Sequence, residues 1–268
     1  MDNPLLSVII PVYNAQDVLA AAVESVLSQG IDAVEVILVN DGSRDGSLEI
    51  CQEYARNDPR FRVINQANSG PGAARNAGLF HASGQYVLFV DSDDSLQPGT
   101  LNCLLQTVQA DQADLAIAHF NILMNNQTLD RGFIKDDCVL ERDAFFHVLA
   151  QRPGSYYYSA LWNKLYSNQI IRDNKIVFDQ SFTWGEDFDF NMHYYRFVNS
   201  VSFFKEPIYN YKRAYSGQTW RTMFEVGSNI LIKKRLYQSL KSLYDHAGLF
   251  NKYKPYIYRY IFNVTIST

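Results

Sequence analysis

The feature that most limits the fold of this chain is the exchange of short β-branched runs and helix-periodic segments over its first 120 residues. LSVIIPV (6–12), VEVILVN (34–40), FRVIN (61–65) and YVLFV (86–90) are apolar runs of strand length, and DLAIAHFNI (114–122) repeats the pattern. Continuous runs, rather than alternating ones, mark strands covered on both faces. Between the first two, Val18, Leu19, Ala22, Val23, Val26 and Leu27 recur at helical spacing, with Asn14 expected as the cap and Gly30 as the stop. Asp45 is expected to open a helix reaching about Arg56, GPGAARNAGLFHA (70–82) reads as loop and helix, and another helix runs from about Pro98 to Ala110. Strands joined by single helices lie mostly parallel with right-handed crossovers. The expected class is therefore α/β, a mostly parallel sheet flanked by helices.

Open sheets of this kind bind ligands just beyond the carboxyl ends of their strands. Tyr13 and Asn14 follow the first strand, and Asp41, Gly42 and Ser43 the second. Asn68, Ser69, Gly70 and Gly72 follow the third, and Asp91, Ser92, Asp93 and Asp94 the fourth. Four polar, glycine-bearing loops thus converge on one sheet edge. Neither common phosphate cradle is present. The chain has no Gly-Lys pair for a P-loop, and PVYNAQ stands where a dinucleotide fingerprint needs GxGxxG. A conventional nicotinamide site is disfavoured.

Three acids within four positions repel one another unless a positive charge sits among them. Carboxylates select hard cations such as Mg2+ or Mn2+, and such a cation would carry a diphosphate. The competing reading is that Asp94 or Ser95 caps the next helix while the other acids are solvated.

Taken in order, LSVIIPVYNAQDVLAAAVESVLSQ, EVILVNDGSRDGS, NSGPGAARNAG and YVLFVDSDD resemble the inverting family 2 glycosyltransferases of the GT-A fold. GEDFDFN (185–191) matches the acidic motif of that family, and WNKLYSNQII and YNYKRAYSG look like its bacterial members that build surface polysaccharide. The resemblance implies a metal-dependent enzyme moving a sugar from a nucleotide donor, UDP by expectation, to a saccharide or lipid-linked saccharide hydroxyl. It implies that Pro11, Tyr13, Asn14, Asp41 and Asn68 surround the nucleobase, with Arg75 directed at base or phosphates. In the DxD segment Asp91-Ser92-Asp93, Asp93 is the expected metal ligand, and Asp91 touches the ribose or the metal's water shell. Asp187 is the expected catalytic base with Glu186 supporting it, and Lys212 or Arg213 closes over the diphosphate. Asp189 is expected to be solvated and His193 structural. Two rivals stay open: a sugar-1-phosphate nucleotidyltransferase, although PVYNAQDVL lacks its basic glycine-rich loop, and a non-catalytic saccharide-binding protein on the same scaffold.

Beyond residue 122 the pattern loosens. ERDAFFHVLAQ (141–151), 187–197 and 224–243 read as helices, and 152–160 as a mobile loop over the site. The expected organisation is a glycosyltransferase domain over 1–220, with a nucleotide half to about 122 and an acceptor half from 123. A basic, aromatic helical extension follows over 221–268, and its pattern stops mid-helix as in a chain cut short. Lys233, Lys234, Arg235, Lys241, Lys252, Lys254 and Arg259 interleave there with tyrosines against one acid, Asp245. Such a segment suits an anionic membrane surface or a helical appendage packed on the domain, and both readings stay open. The net charge of −4 gives no sign of a nucleic-acid partner. Three scattered cysteines, no signal peptide and no spanning run lead to the expectation of a cytoplasmic protein, peripheral at the inner membrane face if the tail binds lipid.

Overall fold

The computed structural model describes residues 4–124, 127–212 and 226–266, with side chains described outside 226–229 and 261–266. Four parallel strands form the first half in the order β3-β2-β1-β4: β1 (Leu6–Val12), β2 (Val34–Asp41), β3 (Phe61–Gln66) and β4 (Tyr86–Phe89). Helices α1 (Leu19–Leu27), α2 (Ser47–Asn57) and α3 (Pro71–His81) make the crossovers. Every residue of β4 is buried, as are Val8, Ile9, Ile10, Val36, Ile37, Leu38 and Val39, which explains the continuous apolar runs.

Beyond β4 the sheet is mixed, not parallel throughout. After β5 (Ser95–Leu96) and α4 (Thr100–Ala110) comes β6 (Leu115–Met124), which pairs antiparallel with β7 (Gln127–Arg131). β8 (Cys138–Glu141) and α5 (Arg142–Gln151) lead to the short helix α6 (Tyr156–Ser159). β9 (Lys164–Ser167) then slots antiparallel between β4 and β6. After α7 (Asn168–Asp173), α8 (Glu186–Tyr194) and a 3-10 turn, β10 (Ser200–Lys212) runs parallel to β6. Pro207 lies inside β10, and the register shifts on both sides of it, because proline cannot donate to the ladder. That proline, and the brevity of β9, hide these strands from a pattern reading.

Three local expectations are corrected. Asn14 does not cap α1. It holds a left-handed φ of 49°, its side chain accepts from the Arg44 amide (2.8 Å), and its own amide donates to Ser43 Oγ (3.1 Å). Asp94 and Ser95 do not cap α4, which begins after left-handed Gly99. The 152–160 stretch is not a free loop, since Tyr157, Tyr158 and Ala160 are buried.

The last two helices, α9 (Val226–His246) and α10 (Phe250–Ile266), pack on α5 and α8. Leu236, Leu240, Leu243, Tyr244, Tyr253 and Ile257 join the same buried cluster as the sheet. Among the described residues, no helix is long and apolar enough to cross a membrane.

Candidate active site

The carboxyl ends of β1 to β4 and the start of α8 meet at one edge of the sheet. The Asn14 bonds to Ser43 and Arg44 join the first loop to the second. Gly42 (φ +69°) joins the second to the third, since a Cβ there would lie 2.7 Å from the Asn68 amide nitrogen. Asp41, only 3% exposed, holds the third loop in place. Its carboxylate accepts from Gln66 Nε2 (2.7 Å) and from the amides of Ser69 (2.9 Å) and Gly70 (2.8 Å). Asp41 is therefore a loop-holding residue whatever else it touches. Tyr13, Asn14 and Asn68 are exposed around this rim, with Pro11 half-buried beneath.

Arg75 is the centre of the site. It projects from α3, is 5% exposed, and is ringed by acids from two distant segments. Nη2 donates to Asp91 Oδ1 at 3.0 Å, while Nη1 donates to Asp187 Oδ1 at 3.0 Å and Glu186 Oε1 at 3.2 Å. Burial alone would lower the arginine's pKa; Asp187, Asp91 and Glu186 together raise it. A planar fork with several donors suits this bridging in a way that a lysine's point charge does not. In this structure Arg75 supplies a positive charge among the crowded acids. It is buried, so it is no surface salt bridge.

The acids differ sharply in setting. Asp91 is half-buried, and its Oδ2 accepts from no other described residue; Ser92 sits at the turn beside it. Asp93 is exposed at the mouth. Water withdrawn by the surrounding chain pushes its pKa up, the charge of Asp91 adds to this, and Lys212 opposes it. Lys212 stands at the end of β10, with its amide donating to Asp94 Oδ1 (2.8 Å). Arg213 lies outside the described residues.

Asp94 is 1% exposed and also accepts from Tyr209 Oη (2.9 Å), whose oxygen takes the Asp91 amide (3.0 Å). Burial first, then the charges of Asp91 and Asp93, push Asp94 up to about 8, against the bonds from Lys212 and Tyr209. Asp94 and Tyr209 lie 115 residues apart, so no local pattern announces this pair.

Glu186 and Asp187 open α8, directly after left-handed Gly185 (φ +85°). An acid at a helix start is held by the macrodipole and by the short backbone, which keeps it rigid. Burial is the first cause raising Asp187 to about 7, with Glu186 and Asp91 adding to it and Arg75 and Lys164 opposing. Asp189 is not solvated as expected: it is 4% exposed and accepts from Ser239 Oγ of α9. His193 lies 4.0 Å from Asp189, away from the acid cluster. A cavity of about 910 Å3 opens at the other end of the sheet, beside Gly84, Asn168 and Arg172, and holds none of these acids.

The donor set fits a divalent cation of one kind. The free oxygen of Asp91 and the exposed Asp93 offer hard carboxylate ligands, yet the described residues contain no group of three or more His, Cys, Asp or Glu able to hold a metal. That suits an ion that keeps waters and is completed by substrate phosphates, not one caged by protein.

A mixed α/β sheet carries strand-end loops, an acidic turn after β4 and an acid pair opening a later helix, all at one edge. The comparisons with known proteins give the family. Residues 7–151 match the family described as glycosyl transferase family 2, and the chain belongs to that family. It is 32% identical to EpsH of Bacillus subtilis (strain 168) over 96% of this chain and 73% of that one. It is 34% identical to the glycosyltransferase GlyG of Streptococcus pneumoniae over 84% of this chain and 75% of that one. Among solved structures, S. aureus TarS 1–349 superposes with a TM-score of 0.69 at 24% identity, covering 92% of this chain and 72% of that one. TarS 1–349 in complex with UDP-GlcNAc gives 0.70, with the same identity and coverage. The fold is therefore GT-A, and the protein is a glycosyltransferase.

Proposed function

We propose that this glycosyltransferase moves a sugar from a UDP donor to a hydroxyl of a saccharide or lipid-linked saccharide, with inversion at the anomeric carbon and with Mn2+ or Mg2+, in the assembly of a surface glycan. The observation that carries this reading is Arg75, which draws Asp91 of the β4 loop and Glu186 and Asp187 of α8 into one cluster. The UDP and UDP-GlcNAc complexes of TarS support the donor class. The surface-glycan role rests on the bacterial relatives and on the WNKLYSNQII and YNYKRAYSG segments.

In this reading Pro11, Tyr13, Asn14, Asp41 and Asn68 wall the nucleobase, Asp91 and Ser92 face the ribose, and the Lys212 side chain covers the diphosphate. The divalent ion, held by Asp93 and Asp91 together with donor phosphate oxygens, would serve as the Lewis acid that stabilises the leaving diphosphate. Asp187 takes the proton of the acceptor hydroxyl as its oxygen bonds to the anomeric carbon. The bond from that carbon to the phosphate oxygen breaks, and its electron pair leaves with the diphosphate. Glu186 shares Arg75 with Asp187 and so holds the pair in place.

Asp187→Asn should keep UDP affinity within about twofold and cut transfer by about 100-fold or more. The assay is sugar transfer or donor hydrolysis across a panel of nucleotide sugars with each metal, beside calorimetric UDP binding. Unchanged turnover would move the base to another residue, with Glu186 the first to test.

A membrane-surface role for the C-terminal hairpin has its own support. Ile230 and Leu231 are 65% and 66% exposed, one turn ahead of Lys233 and Lys234. Lys254 lies 5.5 Å from the Tyr258 ring centroid and Arg259 lies 5.4 Å from that of Tyr256, which places cations and interfacial aromatics together on α10. Flotation with anionic vesicles but not neutral ones is the expected result. Equal recovery with both would remove the reading.

A further inference from the structure

Lys164 is a lysine with no exposed surface, and nothing in the transfer chemistry above employs it. It is the first residue of β9. Because β9 runs antiparallel to β4, Lys164 lies at the sheet edge where β4 ends and the site begins. Its Nζ donates to Ala160 O (2.5 Å), Tyr157 O (2.9 Å) and Asn163 Oδ1 (2.9 Å). All three acceptors are neutral groups. Burial pushes the Lys164 pKa well below the usual lysine range, and the charge of Asp187 opposes that shift.

A second route links the two residues. Asn191 Nδ2 donates to Ser159 O (2.9 Å), beside the Ala160 carbonyl that Lys164 holds, and to the backbone carbonyl of Asp187 (2.9 Å), with Ala160 O itself 3.3 Å away as a shared acceptor. Tyr166 Oη fixes the other end of that amide by donating to Asn191 Oδ1 (2.8 Å). Asn163 completes the row, its Nδ2 donating to Ala118 O (3.0 Å) and Tyr157 O (3.1 Å). Lys164 thus organises the end of α6, Asn191 transmits that order to the first turn of α8, and Asp187 stands on that turn.

We infer that Lys164 is a positioning residue for Asp187: its hydrogen bonds hold the end of α6, and Asn191 carries that order to the first turn of α8, on which the carboxylate stands. The inference rests on Asp187 being the base.

The test is a double-mutant cycle between Lys164→Met and Asp187→Asn, read by transfer kcat, donor KM, calorimetric UDP affinity and Tm. Lys164→Met should lower kcat about tenfold or more, with donor KM and UDP affinity within about twofold of the wild type. In the Asp187→Asn background it should lower kcat no further, since a residue that acts through another is silent once that other is gone. Should Lys164→Met fail to fold, Asn191→Ala decides by the same measurements, because it cuts the link to α8 and leaves Lys164 in place. Additive losses, or a loss that tracks KM and UDP affinity, would overturn the inference. Full activity in Asp187→Asn would instead overturn the choice of base, so the two failures are distinguishable.

Discussion

Asp187 has to be ionised to accept a proton, and its pKa is raised to about 7 by burial and by Glu186 and Asp91, against Arg75 and Lys164. The sign follows directly. The base is competent above that value, so kcat/KM should fall as pH drops through about 7, the acid limb of a rate profile. A profile flat from pH 5 to 8 would contradict the assignment. Arg75→Lys should lower turnover by about tenfold, because a lysine cannot bridge Asp91, Glu186 and Asp187 at once. Single-turnover rates at saturating donor check this. The legibility of these residues in the sequence was uneven, for a physical reason. Asp91, Asp93, Glu186 and Asp187 stand out in the sequence as candidates because each lies at a strand or helix end inside a local motif. The partners of Arg75 lie 111 and 112 residues away on α8, and no local pattern reports such a contact. The sequence offers Asp94 only as a candidate helix cap, because its neighbours in the chain carry that pattern, whereas its partner in space is Tyr209.

Among the elements, the parallel half of the sheet was readable because two-sided burial leaves continuous apolar runs. The other half was not: β10 contains Pro207, two register shifts and charged residues, and β9 is four residues long. Glu35 shows how the readable half is locked. One carboxylate oxygen accepts from Ser7 Oγ (2.6 Å), the Ser83 amide (2.6 Å), Ser83 Oγ (2.9 Å) and the Gly84 amide (3.1 Å), joining β2 to β1 and to the turn before β4. Burial would raise its pKa, but these bonds outweigh burial and lower it. Glu35→Ala should cost about 2 kcal/mol in denaturant titration. A group held below its unfolded value contributes stability above that value and loses it as pH falls through the folded one. The difference between wild type and variant should therefore shrink in acid, below the ordinary glutamate range.

At the scale of the whole molecule, one hydrophobic cluster runs from β1 to the last helix, and helix α8, which carries Glu186 and Asp187, is packed between sheet and tail. Gly185 shows how close the fit is, since a Cβ there would lie 3.0 Å from Leu236 of α9. Asp189 bonds Ser239, and Tyr244 Oη donates to Phe146 O (2.7 Å). We therefore expect Leu240→Ala, at a fully buried position on α9, to destabilise the protein by about 2–4 kcal/mol in a single transition. Two separate transitions would mean that the hairpin unfolds on its own. The same unity ties α3 to α8, because Arg75 reaches from one to the acid pair of the other. Calorimetric titration of UDP into the wild type and Asp93→Ala, each in Mn2+ and in EDTA, tests the donor-site claim most directly. The expected result is binding by the wild type in Mn2+ that is lost both in EDTA and in the variant. Equal affinity with and without metal would contradict it.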